Sequence, residues 1–147
     1  MSAEVGTALG TDAAGTLMTV STFANKKIEE IAATTKGPKW FQLYLHDDRG
    51  KSRELLQRAK AAGYSAIVFT IDAFSAGSSD DLTRLNFTFP PGLTFANSDS
   101  TEVKRSLSWD DVDFIQKTTN FPLILKGVLT ADIAAAGIQR GVGRGRT

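Results

Sequence analysis

Five polar side chains stand where apolar runs end: Gln42 and Tyr44 close residues 39–44, Thr70 and Asp72 close 66–72, and Lys126 closes 121–126. An amide, a phenol, a hydroxyl, a carboxylate and an ammonium in such places are groups for holding a small molecule and for stabilising charge on it. Parallel strands buried on both faces read as continuous apolar runs, and in a closed β/α barrel the functional groups sit at the strands' carboxyl ends. Lys126 is the most demanding of the set, because a cation ending an apolar run is expected to be partly desolvated and needs an anionic partner. Two readings follow: an ion pair with Asp72 or another carboxylate, or a cation placed to stabilise negative charge that develops on a bound group. Gln42 and Tyr44 are two residues apart, so they share one face of their strand. On an inward, wet face they serve a ligand; as buried structure they need partners of their own. His46, beside Asp47 and Asp48, starts a solvated helix and reads as a surface histidine rather than an acid or base.

Composition removes several classes. Seventeen basic against sixteen acidic residues in 147 leave a formal charge of +1, too small a field to make nucleic acid the expected partner. There is no cysteine, hence no disulfide, thiolate nucleophile or Cys-ligated zinc, and a single histidine argues against a histidine-built metal site. No metal is expected. Gly6, Gly10 and Gly15 lack the spacing of a dinucleotide fingerprint, and no Walker loop is present. No stretch approaches the roughly 20 apolar residues of a membrane span, and the first residues lack a signal peptide's basic and apolar segments, so a cytoplasmic protein without a membrane partner is expected. Asn86-Phe87-Thr88 matches a glycosylation sequon that has no consequence in that setting.

The elements that must position the polar groups follow from periodicity. An Ala-rich helix over 4–14 stops at Gly15, and residues 16–20 form a buried strand followed directly by Ser21 and Thr22. Ile28, Ile31 and Ala32 recur at helical spacing. The strand 40–44 is followed by a helix over 48–62 with the stripe Leu55, Leu56, Ala59, Ala62, and Gly63 is placed to end it. The next strand is 66–71. Residues 72–106 show no period and carry Pro90-Pro91-Gly92, the marks of a lid, a binding loop or disorder. Ser108 with Asp111 three residues on makes a capping box for a helix to about residue 118. Pro122 is tolerated at the start of the strand 123–126, and a last helix covers 130–139. This alternation is an α/β architecture with a parallel sheet, read as a partial TIM (β/α)8 barrel of about four to five strands.

Six segments occur in order at compatible spacings: Gly15-Thr16-Leu17-Met18-Thr19-Val20-Ser21-Thr22, Trp40-Phe41-Gln42-Leu43-Tyr44, Arg58-Ala59-Lys60-Ala61-Ala62-Gly63-Tyr64, Thr70-Ile71-Asp72, Pro90-Pro91-Gly92-Leu93 and Leu125-Lys126-Gly127-Val128. Together they resemble the FMN-dependent α-hydroxy-acid oxidase and dehydrogenase family, of lactate oxidase and glycolate oxidase type. The resemblance implies that residues 1–141 are part of that family's barrel domain and that 142–147 are a Gly/Arg tail outside it. It implies FMN as cofactor, with Ser21, Gln42, Thr70 and Lys126 holding the flavin ring. Tyr44 then contacts the substrate's hydroxyl or carboxylate, and Asp72 supports a catalytic histidine. The implied reaction takes an (S)-2-hydroxy acid, L-lactate first, to a 2-keto acid. Full-length members are expected to be homo-oligomeric.

Two departures qualify what the chain is expected to do alone. The family's substrate-clamping arginine is replaced by Ser79, whose hydroxyl cannot make a bidentate carboxylate contact; Arg84 is the nearby candidate to substitute. The family's Ser-Asn-His-Gly-Gly-Arg segment and its later phosphate-binding loops are not in the sequence. A complete barrel takes roughly 250 residues. The chain is therefore expected to be a fragment without turnover, marginally stable and prone to self-association through open sheet edges. The Gly/Arg tail reads as the product of a shifted frame or premature stop. The alternative reading is a non-catalytic half-barrel binding or assembly module; a phosphate-binding barrel enzyme is a third.

Overall fold

The computed structural model describes residues 3–73, 80–88, 90–99 and 102–143. Four strands, β1 (Met18–Ser21), β2 (Lys39–Leu43), β3 (Ala66–Thr70) and β4 (Leu123–Lys126), form one all-parallel sheet in the order β1-β2-β3-β4. Each step from one strand to the next passes through at least one helix. These are α2 (Ile28–Thr34), α3 (Arg49–Ala61), and then α4 (Asp80–Arg84) with α5 (Trp109–Thr119). The helix α1 (Ala3–Ala13) precedes β1, and α6 (Ala131–Gln139) follows β4. This is the consecutive βα winding of a barrel, of which the described residues hold four strands.

The register sorts the strand side chains into two faces. Pairing of Val20 with Phe41, Phe41 with Ile67, and Ile67 with Leu123 lines those residues up on one face. That face makes the hydrophobic core with Ile28 and Ile31 of α2, Leu55, Leu56 and Ala59 of α3, and Val112 and Ile115 of α5. Pairing of Ser21 with Gln42, Gln42 with Val68, and Thr70 with Lys126 puts the other set on the opposite face, with Trp40 and Ile124 behind them. None of that second set belongs to the core cluster shared with the helices. Because side-chain direction alternates with period two, one slip of register would carry the polar row into the core, so the apolar set fixes where the polar row lies.

Local chemistry explains the element ends. Asp48 caps α3 by accepting the Gly50 N–H at 2.7 Å, and Gly63 follows the helix at φ +83°, as its sequence position predicts. At the start of α5 the Asp111 carboxylate reaches back to the Ser108 N–H at 3.0 Å, the expected return arm of the capping box. Lys39 points into the core face yet is satisfied, its ammonium donating to the carbonyls of Thr35 and Gly37 at 2.7 and 2.8 Å just past the end of α2. Among the described residues no helix is long and apolar enough to cross a membrane.

Two stretches differ from the sequence reading. Part of residues 72–106, read as irregular, forms α4, and residues 94–97 are strapped to the segment between β1 and α2. The tail expected from residue 142 starts as packed chain: Val142 lies against the core and Gly143 N–H donates to Leu123 O at 2.7 Å.

Candidate functional site

The polar strand ends form a continuous row. Gln42 and Thr70 are buried, 8% and 3% exposed, and the Gln42 amide Nε2 donates to Thr70 Oγ1 at 2.9 Å. Ser21 is beside Gln42 in register, and its hydroxyl oxygen accepts the Phe23 N–H at 3.1 Å. Lys126 is beside Thr70, and the ladder runs one bond further, from Ile71 N–H to Lys126 O at 2.9 Å. Lys126 Nζ lies 3.8 Å from Asp72 Oδ1. Five of the six residues singled out from sequence are thus brought into one line across the carboxyl ends of the sheet.

Tyr44, the sixth, lies one residue beyond β2 and is half-buried. Its ring stacks on Phe23 with centroids 5.2 Å apart and planes 23° apart, and Phe23 meets Phe95 at 5.1 Å. The strap supplies Phe95. Ala96 N–H donates to Ala24 O at 2.9 Å, and the buried Asn97 accepts from Ile28 N–H at 2.9 Å and donates to Lys26 O at 2.9 Å. An aromatic wall therefore borders the polar row on the β1–β2 side.

Solvent access differs along the row: Gln42 and Thr70 are buried, whereas Lys126 stands on the edge strand β4. Its side chain is 55% exposed, so the expectation of a partly desolvated cation is corrected. Its ion pair with Asp72 is long, and both readings made for it from sequence remain compatible with the contact. Asp72 also lies where a side chain on Gly127 would be, and Gly127 has φ +93°, so glycine is required there on two counts.

His46 is a second correction. It is 5% exposed rather than a surface residue, with Nδ1 2.9 Å from Glu102 O and Nε2 3.2 Å from Ser98 Oγ. The strap and the chain following it fold over it. Both ring nitrogens are engaged by these two partners. Arg84, the candidate substitute clamp, pairs with Asp81 at 2.6 Å on the exposed surface of α4. Ser79 lies outside the described residues. Sequence reasoning missed Thr22, Phe23 and Asn97, although Thr22 directly follows a strand-ending serine, a position where a hydroxyl often bonds backbone.

Behind the row, the fully buried Asp111 carboxylate receives Lys104 Nζ at 2.8 Å and Arg49 Nη2 at 2.9 Å. Burial pushes its pKa up, but hydrogen bonds from Lys104, the Ser108 backbone and Arg49 outweigh that and hold it below the usual carboxylate range. This cluster ties Lys104, in the chain after the strap, to α3 and α5.

The sequence profile of the FMN-dependent dehydrogenase family matches residues 1–144. The chain belongs to that family. Over 94% of its length it is 36% identical to an L-lactate oxidase of Nostoc sp., covering 44% of that protein. It is also 36% identical to glycolate oxidase of Spinacia oleracea, over 94% of this chain and 42% of the relative. The structure of mandelate oxidase with (S)-2-phenylpropionate superposes with a TM-score of 0.87 at 34% identity, covering 97% of this chain and 41% of that one. The chain thus spans less than half the length of the relatives it matches, and its sheet is part of the barrel of this FMN-dependent family.

Proposed function

We propose that this chain carries the flavin-edge part of an FMN-dependent oxidation of an (S)-2-hydroxy acid to a 2-keto acid, with L-lactate the first substrate to test. The observation that carries the reading is the bonded pair Gln42–Thr70 with Lys126 next in register. Thr70 Oγ1 accepts the amide hydrogen, so its own proton is free to donate. Gln42 keeps a second N–H and a carbonyl lone pair, and Lys126 adds an ammonium. Donors, one acceptor and a cation in a row match the imide edge of an isoalloxazine, which has two carbonyls, one N–H and negative charge on reduction. When bound, FMN supplies the two-electron acceptor for the alcohol carbon.

The remaining steps fall to side chains. In this reading Tyr44, whose ring stacks on Phe23, donates its phenol hydrogen to the substrate's hydroxyl or carboxylate. Asp72 beside Lys126 is placed to hold a protonated base supplied by chain that this sequence does not contain. In all the alcohol loses two electrons and two hydrogens, one from the carbon and one from the hydroxyl oxygen, and one of them leaves as a proton to a base within bonding reach. His46, committed to Glu102 and Ser98, does not provide it. The isolated chain therefore binds the cofactor edge without turning over substrate.

Titration of FMN with the purified chain, followed by flavin fluorescence, tests binding, and keto-acid formation from lactate, glycolate and mandelate tests turnover. Quenching without keto acid is the expected result; keto acid from any of the three overturns the incomplete-site reading. The second reading, a half-barrel assembly module, draws on the face with Trp40 and Ile124, which lies outside the helix-packed core. A stoichiometric protein partner on purification, with no flavin quenching, favours it.

A further inference from the structure

We propose that Thr22 is a positioning residue, one that splices the end of β1 to the end of β2 and thereby sets both the Gln42 amide and Tyr44. Thr22 is fully buried, with 0% exposure. Its hydroxyl donates to Gln42 O at 2.7 Å and accepts the Tyr44 N–H at 3.0 Å. Its own backbone N–H donates to Gln42 O at 3.0 Å and lies 3.4 Å from Gln42 Oε1.

β1 ends at Ser21 and β2 at Leu43, and the backbone bond from Thr22 N–H to Gln42 O stops two residues short of Tyr44. Beyond that bond one threonine hydroxyl carries the link on to the Tyr44 N–H. It uses its single proton on Gln42 O and a lone pair on Tyr44 N–H, the complete donor and acceptor capacity that this geometry calls for. The backbone N–H of Thr22 decides the amide orientation of Gln42. An N–H cannot accept, so the atom facing it is the carbonyl Oε1, and Nε2 is left to face Thr70. Thr70 in turn must accept, which frees its own proton for the ligand side. The donor pattern of the row thus originates one strand away, at a residue that does not belong to the row.

Serine or threonine meets this need; an isosteric valine keeps the β-branch and the volume but neither bond. The test uses the whole 147-residue chain, as wild type, Thr22→Val and Thr22→Ser, with backbone amide exchange and the Gln42 side-chain amide followed by NMR. In Thr22→Val the Tyr44 amide exchanges roughly tenfold faster, while the two Gln42 amide protons, oriented by the backbone N–H that valine keeps, stay dispersed and the β3 amides of Ile67 and Phe69 hold within about twofold. Thr22→Ser returns the Tyr44 amide to near the wild-type value. An unchanged Tyr44 amide in Thr22→Val, equal behaviour of the two variants, or equal acceleration throughout β3 overturns the proposal.

The consequence for the flavin rests on the function proposed above and is read separately, by FMN titration of the same three proteins. Weaker quenching by Thr22→Val than by Thr22→Ser is expected. A wild-type chain that does not quench FMN removes the flavin reading and leaves the exchange result to decide the role of Thr22.

Discussion

Gln42 and Thr70 lie on neighbouring strands and are joined side chain to side chain at 2.9 Å, both buried at the carboxyl end of the sheet. The bond fixes which of them donates inward and which outward. Gln42→Leu removes the donor and an amide that Thr22 also holds, so FMN affinity is expected to fall roughly tenfold or more, with about 1 kcal/mol of stability lost. Thr70→Val leaves a buried amide hydrogen unpaired and is expected to cost about 1–3 kcal/mol. Denaturant midpoints and FMN titration on the same preparations separate the two effects.

Lys126 behaves differently, because its contact with Asp72 is 3.8 Å long and half in water. Exposed pairs of this kind contribute about 0–1 kcal/mol. Lys126→Met is therefore expected to leave the unfolding midpoint nearly unchanged while weakening FMN binding, and the loss is expected to be larger for reduced than for oxidised flavin, where the ring carries more negative charge. A stability loss equal to that of Thr70→Val would show that the lysine is structural.

Gly127→Ala tests the floor under Asp72. The backbone is at φ +93°, outside the range L side chains favour, and the Asp72 side chain occupies the space a methyl would need. The substitution is expected to destabilise by about 1–3 kcal/mol and to move Asp72 away from Lys126. Shifts confined to the NMR resonances of residues 70–73 and 126–128 are the expected signature.

The parts of this arrangement that sequence exposes are those with short-range causes. Gln42, Thr70 and Lys126 are legible because alternation along a strand assigns faces without any knowledge of neighbours. Gly63 and the Ser108–Asp111 pair are legible because cap chemistry acts within one helical turn. His46 was misread because its burial comes from Ser98 and Glu102, more than 50 residues along the chain. The strap at 94–97 has no periodicity to announce it, since its order comes from bonds to Ala24, Asn25, Lys26 and Ile28 rather than from its own pattern. The end of an apolar run reads as a desolvated place for Lys126, but β4 is an edge of the sheet and the lysine side chain reaches water there.

Asp111 sets an acid limit on the fold. Its pKa is held below the ordinary aspartate value in the folded state, so on acidification the unfolded chain takes up that proton first. The contribution is complete above the ordinary value of about 4 and drains away as pH falls through the lower folded value. Asp111→Asn leaves Lys104 and Arg49 without their anion and is expected to cost about 2–3 kcal/mol near neutrality. It should also flatten the stability profile below about pH 4 relative to wild type, and equilibrium unfolding at several pH values measures both.

Asn97 links the strap to the aromatic wall, and its three bonds are of two kinds. Oδ1 accepts from Ile28 N–H at 2.9 Å and from Arg58 at 3.3 Å, while Nδ2 donates to Lys26 O at 2.9 Å. Asn97→Asp keeps the accepting oxygen and gains a charge facing Arg58, but loses the donor and sets a carboxylate oxygen against the Lys26 carbonyl. Asn97→Ala loses all three bonds and leaves the Ile28 N–H unpaired at the first turn of α2. The alanine variant is expected to lose about 2 kcal/mol and the aspartate variant about 1 kcal/mol. Because Phe95 is two residues away and meets Phe23, which stacks on Tyr44, loosening the strap should reach the site as ring motion. Broadened ring resonances of Phe23 and Tyr44 in Asn97→Ala, with Gln42 and Thr70 unaltered, are the expected result. Sharp, unshifted rings would show that the wall stands without its strap.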